Sequence, residues 1–80
     1  RLNKILFATA GELKARPDDV AAILQDGTGK LKEAGFGKID YLAACDAETL
    51  QALYRIDRPA RLLAAMWLGK TRLIDNVSIS

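Results

Sequence analysis

Apolar residues in the first part of the chain recur at intervals of three and four, which predicts a helix over residues 2–14. The members of this stripe are Leu2, Ile5, Leu6, Thr9, Ala10 and Leu13. Pro17 is expected to end the helix, because a proline disfavours the α conformation in the residue before it. A second helix is predicted to hold Pro17, Asp18 and Asp19 in its first turn and to run to about Ala34.

The end of the second helix carries a specific stop signal. Gly35 is predicted to take the left-handed conformation after the last turn, which lets Phe36 contact Leu31. Gly27 and Gly29 lie inside the helix, where each costs on the order of 1 kcal/mol relative to alanine. Two interpretations are open, close packing at the glycines or a break in the helix, and we favour close packing.

The pattern changes to alternation after the second helix. Residues 38–45 alternate between two faces and are predicted to form a strand. Asp46 is expected to cap a short helix over residues 47–53, its side chain accepting from an N–H of the first turn. Residues 54–60 include Asp57-Arg58-Pro59 and are expected to form an exposed turn.

The last part of the chain predicts a hairpin. Residues 61–68 are apolar on both faces, which indicates a central strand, and Gly69-Lys70 has glycine first, as a type II′ turn requires. Residues 72–79 would return as the third strand. The predicted pairs are Leu68 with Thr71, Trp67 with Arg72, and Met66 with Leu73. The predicted fold class is α+β, a small three-stranded antiparallel sheet with helices packed on one face.

Length and composition fit one small domain, residues 1–80. The chain has 80 residues, of which 50% are hydrophobic, and a domain of this size buries only roughly 60% of its unfolded surface. The 12 basic and 10 acidic residues give a net charge of +2. This balance predicts neither a nucleic-acid nor a membrane partner. Because the chain opens on Arg1 within a periodic segment, we expect it to be part of a longer protein.

Few residues offer catalytic chemistry. The chain has no histidine, which excludes histidine-based triads, acid–base pairs and metal ligation within these 80 residues. Its one cysteine, Cys45, has no partner for an internal disulfide and is expected to be a small buried apolar residue. A single cysteine and an opening segment without a secretory signal favour a reducing compartment and a cytoplasmic location.

Residues 64–71 fit a relaxed phosphate-loop pattern that ends in Gly-Lys-Thr. A phosphate loop needs small residues whose N–H groups curl around the phosphate, and it must open a helix. Here Met, Trp and Leu occupy the loop interior, and an alternating segment follows. The hairpin is therefore the favoured interpretation.

Two further groups of side chains are candidate sites. Trp67 opposite Arg72 is either a ligand platform or, as we favour, a cation–π pair across two strands. The carboxylates could act as acids or bases only if two converge in a cleft. They are Asp40, Asp46, Glu48, Asp57 and Asp75. Asp46 is expected to cap, Asp57 to stabilise a turn, and Asp75 to pair with an arginine or bond a neighbouring backbone group. No catalytic, cofactor-binding or metal-binding residue is predicted.

Residues 58–76, which contain Trp-Leu-Gly-Lys-Thr-Arg-Leu-Ile-Asp-Asn, closely resemble the end of the pantothenate synthetase family, the AMP-forming pantoate–β-alanine ligases. Ala34-Gly35-Phe36, Ile39-Asp40-Tyr41 and residues 46–50 agree in order and spacing. The resemblance covers nearly the whole chain and is to the C-terminal domain of that family. The segment 43–45 departs from it, since relatives often carry a longer polar or charged residue there.

The resemblance implies an enzyme in two parts. An N-terminal Rossmann-like part binds ATP, pantoate and Mg²⁺ and forms pantoyl adenylate, which β-alanine attacks to give pantothenate. The C-terminal part is implied to be a lid over that cleft. The family's His-containing turn and Ser-Ser-Arg-Asn run have no counterpart in this chain.

The chain alone is therefore expected to be inactive and to bind no cofactor. A homodimer is expected of the whole enzyme and a monomer of this chain. The alternative interpretation is a free-standing α+β interaction module that docks through its sheet.

Overall fold

Two helices precede three strands in a computed structural model that describes residues 2–79. The helices are α1 (Leu2–Ala15) and α2 (Val20–Glu33), and the strands are β1 (Lys38–Asp46), β2 (Ala60–Leu68) and β3 (Thr71–Ser78). The α+β fold class is confirmed. The two end residues of the expected domain, Arg1 and Ser80, lie outside the described residues.

The predicted apolar stripe of α1 faces the core. Its buried members are Leu6, Thr9, Ala10 and Leu13. The expected start of the second helix is wrong, because α2 begins at Val20 and Pro17 lies in the preceding turn. A helix that started at Pro17 would direct that residue's carbonyl towards Ala21, whereas this carbonyl accepts the N–H of Ile56 at 2.9 Å. A tertiary contact therefore holds the turn outside the helix.

The end of α2 is as predicted. Gly35 has φ of +106°, its N–H donates to the carbonyl of Lys32, and the N–H of Phe36 donates to that of Leu31. These two bonds make a Schellman motif, which satisfies carbonyls that the helix leaves free. Phe36 and Leu31 are both buried in the core, so the stop also contributes apolar packing.

The two glycines inside α2 differ in their surroundings. A Cβ on Gly27 would lie 3.0 Å from Oγ1 of Thr9 and 3.1 Å from Cδ2 of Leu42, so close packing is confirmed at that position. A Cβ on Gly29 would meet nothing within 4 Å, so close packing is wrong there. The helix is continuous through both residues.

The sheet has the order β1-β2-β3 with antiparallel neighbours, and β2 is central as predicted. The hairpin is also confirmed, with Gly69 at φ of +62°. The predicted pairs Leu68–Thr71, Trp67–Arg72 and Met66–Leu73 are all present. The third strand begins one residue earlier than predicted, at Thr71.

Both helices pack on one face of the sheet, as expected. The opposite face, which we call the helix-free face, has an apolar centre framed by polar side chains. Directly opposed residues of antiparallel strands share a face, so the strand register identifies its members. They are Tyr41, Ala43, Leu63, Ala65, Trp67 and Ile74 at the centre, with Lys38, Asp40, Cys45, Arg61, Arg72, Asn76 and Ser78 around them.

The predicted helix over residues 47–53 is wrong. This segment forms turns, with Leu50 at φ of +62°, and Ala52 pairs with Cys45 in an isolated antiparallel bridge. The N–H of Asp46 donates to the carbonyl of Gln51 at 2.8 Å. The segment thus satisfies polar groups on the outer edge of β1, an edge that a helix would have left open.

Candidate functional site on the helix-free face

Asp40 is the centre of a polar cluster on the helix-free face. The pairing of β1 with β2 shifts by one residue between Ile39 and Tyr41, so Asp40 is the extra residue of a β-bulge. Its Oδ2 accepts from Nε1 of Trp67 at 3.2 Å and from Nε of Arg72 at 3.0 Å. The bulge therefore brings one carboxylate to the pair that the hairpin register places side by side.

This cluster changes the interpretation of Trp67 and Arg72. The two residues are opposite each other as predicted, but both bond to Asp40, which sequence spacing alone had not associated with them. The Arg72 hydrogen bond, reinforced by that of Trp67 and opposed by partial burial, holds the pKa of Asp40 below its ordinary value. Asp40 is thus an ionised acceptor that orients two side chains, and it has no proton to donate at neutral pH.

Arg61 lies at the other end of the same face. Its guanidinium donates through Nε, at 2.9 Å, and through Nη2 to Oδ1 of Asn76, a diagonal neighbour on β3. Asp75 accepts the N–H of Asn76 at 2.8 Å, which confirms the backbone role considered for it. Two donors to one amide oxygen fix the plane of the guanidinium.

The three remaining carboxylates, those of Asp46, Glu48 and Asp57, do converge, and all of them line a shallow depression of about 390 Å³ in the 46–59 loop. Oδ1 of Asp46 accepts the N–H groups of Glu48 at 2.7 Å and Thr49 at 3.1 Å, so the predicted capping bonds form without the helix. Nε of Arg58 lies 2.8 Å from Oδ1 of Asp57 and its Nη1 3.6 Å from Oδ2 of Asp46.

These contacts decide what the two aspartates can do. The two backbone N–H bonds hold the pKa of Asp46 below its ordinary value, and the Arg58 hydrogen bond does the same for Asp57. An acid–base pair needs two groups with separated pKa values, one of them raised. Both groups here are shifted downward, so the depression is a structural ion-pair cluster.

The segment over residues 64–71 does not have the structure of a phosphate loop. After Gly69 the chain continues as β3, so no helix N-terminus is available for a phosphate. Within residues 2–79 no three acidic, cysteine or histidine side chains are grouped closely enough to hold a metal ion. Cys45 is buried, which raises the pKa of its thiol and makes it a weak nucleophile.

No helix among the described residues is both long and apolar enough to cross a bilayer.

A sequence profile described as Pantoate-beta-alanine ligase matches residues 1–78. The chain belongs to the pantoate–β-alanine ligase family. Family membership favours the ligase interpretation of the sequence over the free-standing interaction module.

Relatives of this ligase family are similar over most of the chain. The pantothenate synthetase of Rhizorhabdus wittichii is 53% identical over 64 residues, covering 80% of this chain and 23% of the relative. The pantothenate synthetase of Mesorhizobium japonicum is 49% identical over 83 residues, covering 99% of this chain and 27% of the relative. A crystal structure of the Thermus thermophilus enzyme superimposes with a TM-score of 0.79 at 33% identity, covering 98% of this chain and 28% of that one. The chain therefore spans about a quarter of the length of the ligases it matches.

Proposed function

We propose that this chain is the C-terminal lid domain of a pantoate–β-alanine ligase. The observation that carries the proposal is a family match over residues 1–78 by a chain that spans only 27% of a relative such as the Mesorhizobium japonicum enzyme. The rest of the enzyme would bind ATP, pantoate and Mg²⁺ and form pantoyl adenylate. β-Alanine would then displace AMP to give pantothenate.

The chemistry of the intermediate supplies a reason for a lid. Pantoyl adenylate is a mixed anhydride of a carboxylic acid and a phosphate, and water would hydrolyse it in competition with β-alanine. Closure of a domain over the cleft excludes water and commits the intermediate to the amine. The carboxylates of this chain support a role in covering the cleft over a role in acid–base chemistry. Each of Asp40, Asp46 and Asp57 contacts an arginine, and the pKa of each is lowered, which favours the ionised form.

We further propose that the chain alone is inactive and monomeric. The whole enzyme would be cytoplasmic and would form a homodimer through its N-terminal part. A lid without its cleft has no substrate to enclose, so its function depends on the catalytic part.

The test compares the full-length enzyme with a version that lacks this domain. AMP and pantothenate are quantified in the same reaction with pantoate, ATP, Mg²⁺ and β-alanine. The intact enzyme should release one AMP per pantothenate, whereas the truncated enzyme, checked for folding by circular dichroism and ATP binding, should release excess AMP together with free pantoate. An unchanged ratio in a folded, active truncation would refute the lid function.

A further inference from the structure

We propose that the helix-free face is the surface that docks on the catalytic part of the enzyme, with Arg61 directed at an acidic side chain of that part. This inference rests on the proposed function, because it takes the rest of the ligase as the occupant. It adds which side of the domain faces inward and which residue anchors the contact.

The apolar centre of the face is the first observation. Ile74 is 64% exposed and Tyr41 is 41% exposed, and they flank Ala65 from the two neighbouring strands. Strand β2 is apolar on both sides, a composition typical of strands that are covered on both faces. In this chain helices cover one face only, while about three quarters of the length of the matched relatives lies outside the matched part.

The second observation is which arginine side chains form ion pairs. Four of the five arginines between residues 2 and 79 lie within ion-pair distance of a carboxylate, namely Arg16, Arg55, Arg58 and Arg72. Arg61 bonds instead to the neutral amide of Asn76. Its geometry is fixed, but none of the ion pairs formed among residues 2–79 compensates its charge. Because Lys38 and Arg72 also lie on this face against the single carboxylate of Asp40, the face carries net positive charge.

A preorganised cation beside an apolar patch matches the composition of protein interfaces, where arginine and aromatic residues are enriched at the centre. The apolar residues identify a protein surface as the occupant, since a small anion would leave Ile74 and Tyr41 in water. Because the charge of Arg61 is uncompensated, the group that lies opposite Arg61 on that surface is a carboxylate.

Footprinting of the full-length enzyme with hydroxyl radicals tests the docking face. Ile74 and Phe7 form a matched pair, since they are 64% and 63% exposed but lie on the helix-free face and on α1 respectively. Relative to the isolated chain, oxidation of Ile74, Tyr41 and Trp67 should fall several-fold in the enzyme with ATP and pantoate. Oxidation of Phe7 should not change. Protection of Phe7 alone, or of neither residue, would overturn the face assignment.

Variants of the full-length enzyme test the anchor. Arg61→Gln removes the charge, and Asn76→Asp keeps an oxygen acceptor for Arg61 but compensates its charge. Both should weaken the Ile74 protection and lower kcat/KM for pantothenate formation by about tenfold or more. Arg61→Lys should recover part of the loss, and the control Arg55→Gln should have no effect. If Arg61 only stabilised the sheet, Asn76→Asp would be neutral.

Two further outcomes would also overturn the proposal, and a third would overturn the proposed function on which it rests. A raised KM for ATP with unchanged protection of Ile74 would show that Arg61 meets the bound nucleotide and not the protein. If the wild-type enzyme makes pantothenate and needs this domain while protection lies elsewhere, the docking face is wrong and the lid function stands. If the wild-type enzyme makes no pantothenate, the proposed function itself fails.

Discussion

The two glycines inside α2 provide a prediction in which the same substitution has opposite effects two residues apart. Alanine in place of glycine in a helix interior gains about 1 kcal/mol from helix propensity. At Gly29 a Cβ meets nothing within 4 Å, so Gly29→Ala should stabilise the chain by about that amount.

Gly27→Ala adds a steric cost to the same gain. The new Cβ would lie 3.0 Å from Oγ1 and 3.3 Å from Cγ2 of Thr9, and 3.1 Å from Cδ2 of Leu42. Thr9 is 1% exposed and its hydroxyl donates to the carbonyl of Ile5 at 2.8 Å, so it cannot rotate away without losing a buried hydrogen bond. Overpacking of this kind costs about 1–3 kcal/mol, which leaves a net loss of about 1 kcal/mol.

The two variants should therefore differ by about 2 kcal/mol in the free energy of unfolding. Urea titration and thermal melting followed by circular dichroism measure that difference, which corresponds to about 10 °C in melting temperature for a domain of this size. If Gly27→Ala were as stable as Gly29→Ala, the close contact between α2, Thr9 and Leu42 would be refuted.

Three further predictions concern the hairpin, the loop and the thiol. Gly69→Ala should lower the free energy of unfolding by about 1 kcal/mol in thermal melts, because φ is +62° at that position, while Lys70→Ala should be neutral. The folded-state pKa of Asp46 is depressed, so its contribution to stability is present above pH about 4 and lost as pH falls through the folded-state pKa. The stability difference between wild type and Asp46→Asn should shrink between pH 7 and pH 3, and a constant difference would contradict this. Cys45 is 5% exposed, so an aromatic disulfide reagent should label it only as fast as the fold opens, and a labelling rate independent of urea would be inconsistent with its burial.

The hairpin could be predicted residue by residue because its signals are local. Gly69 accepts the positive φ of the turn, and the two-residue loop then determines which residues of β2 and β3 face each other. The stop of α2 at Gly35 is similarly local. The central position of β2 followed from its apolar residues on both faces.

The errors arose where a distant segment competes with a local preference. Pro17 and Asp46 both carry valid helix-start signals, yet the carbonyl of Pro17 accepts from Ile56 and the N–H of Asp46 donates to Gln51. These contacts depend on how the 47–59 loop lies against the rest of the fold. Helix signals describe one segment at a time and contain no information about such contacts.

The polar cluster of the helix-free face was missed for a related reason. The sequence pattern indicates Asp40 only as a possible acid or base, because a strict alternation does not bring it to Trp67 and Arg72. A one-residue bulge in β1 makes that contact, and no glycine in the strand marks its position. The pairing of Arg61 with Asn76 could have been found, since the correctly predicted hairpin register makes them diagonal neighbours.

The most direct test of the lid account is a comparison of turnover and ATP binding by the 80-residue chain alone with those of the full-length enzyme. The full-length enzyme should form pantothenate and AMP from pantoate, β-alanine and ATP. The chain alone should form neither product and should bind no ATP at micromolar concentration. Turnover or micromolar ATP affinity by the chain alone would contradict the account. Such a result would indicate that the Gly69–Thr71 hairpin is a nucleotide site.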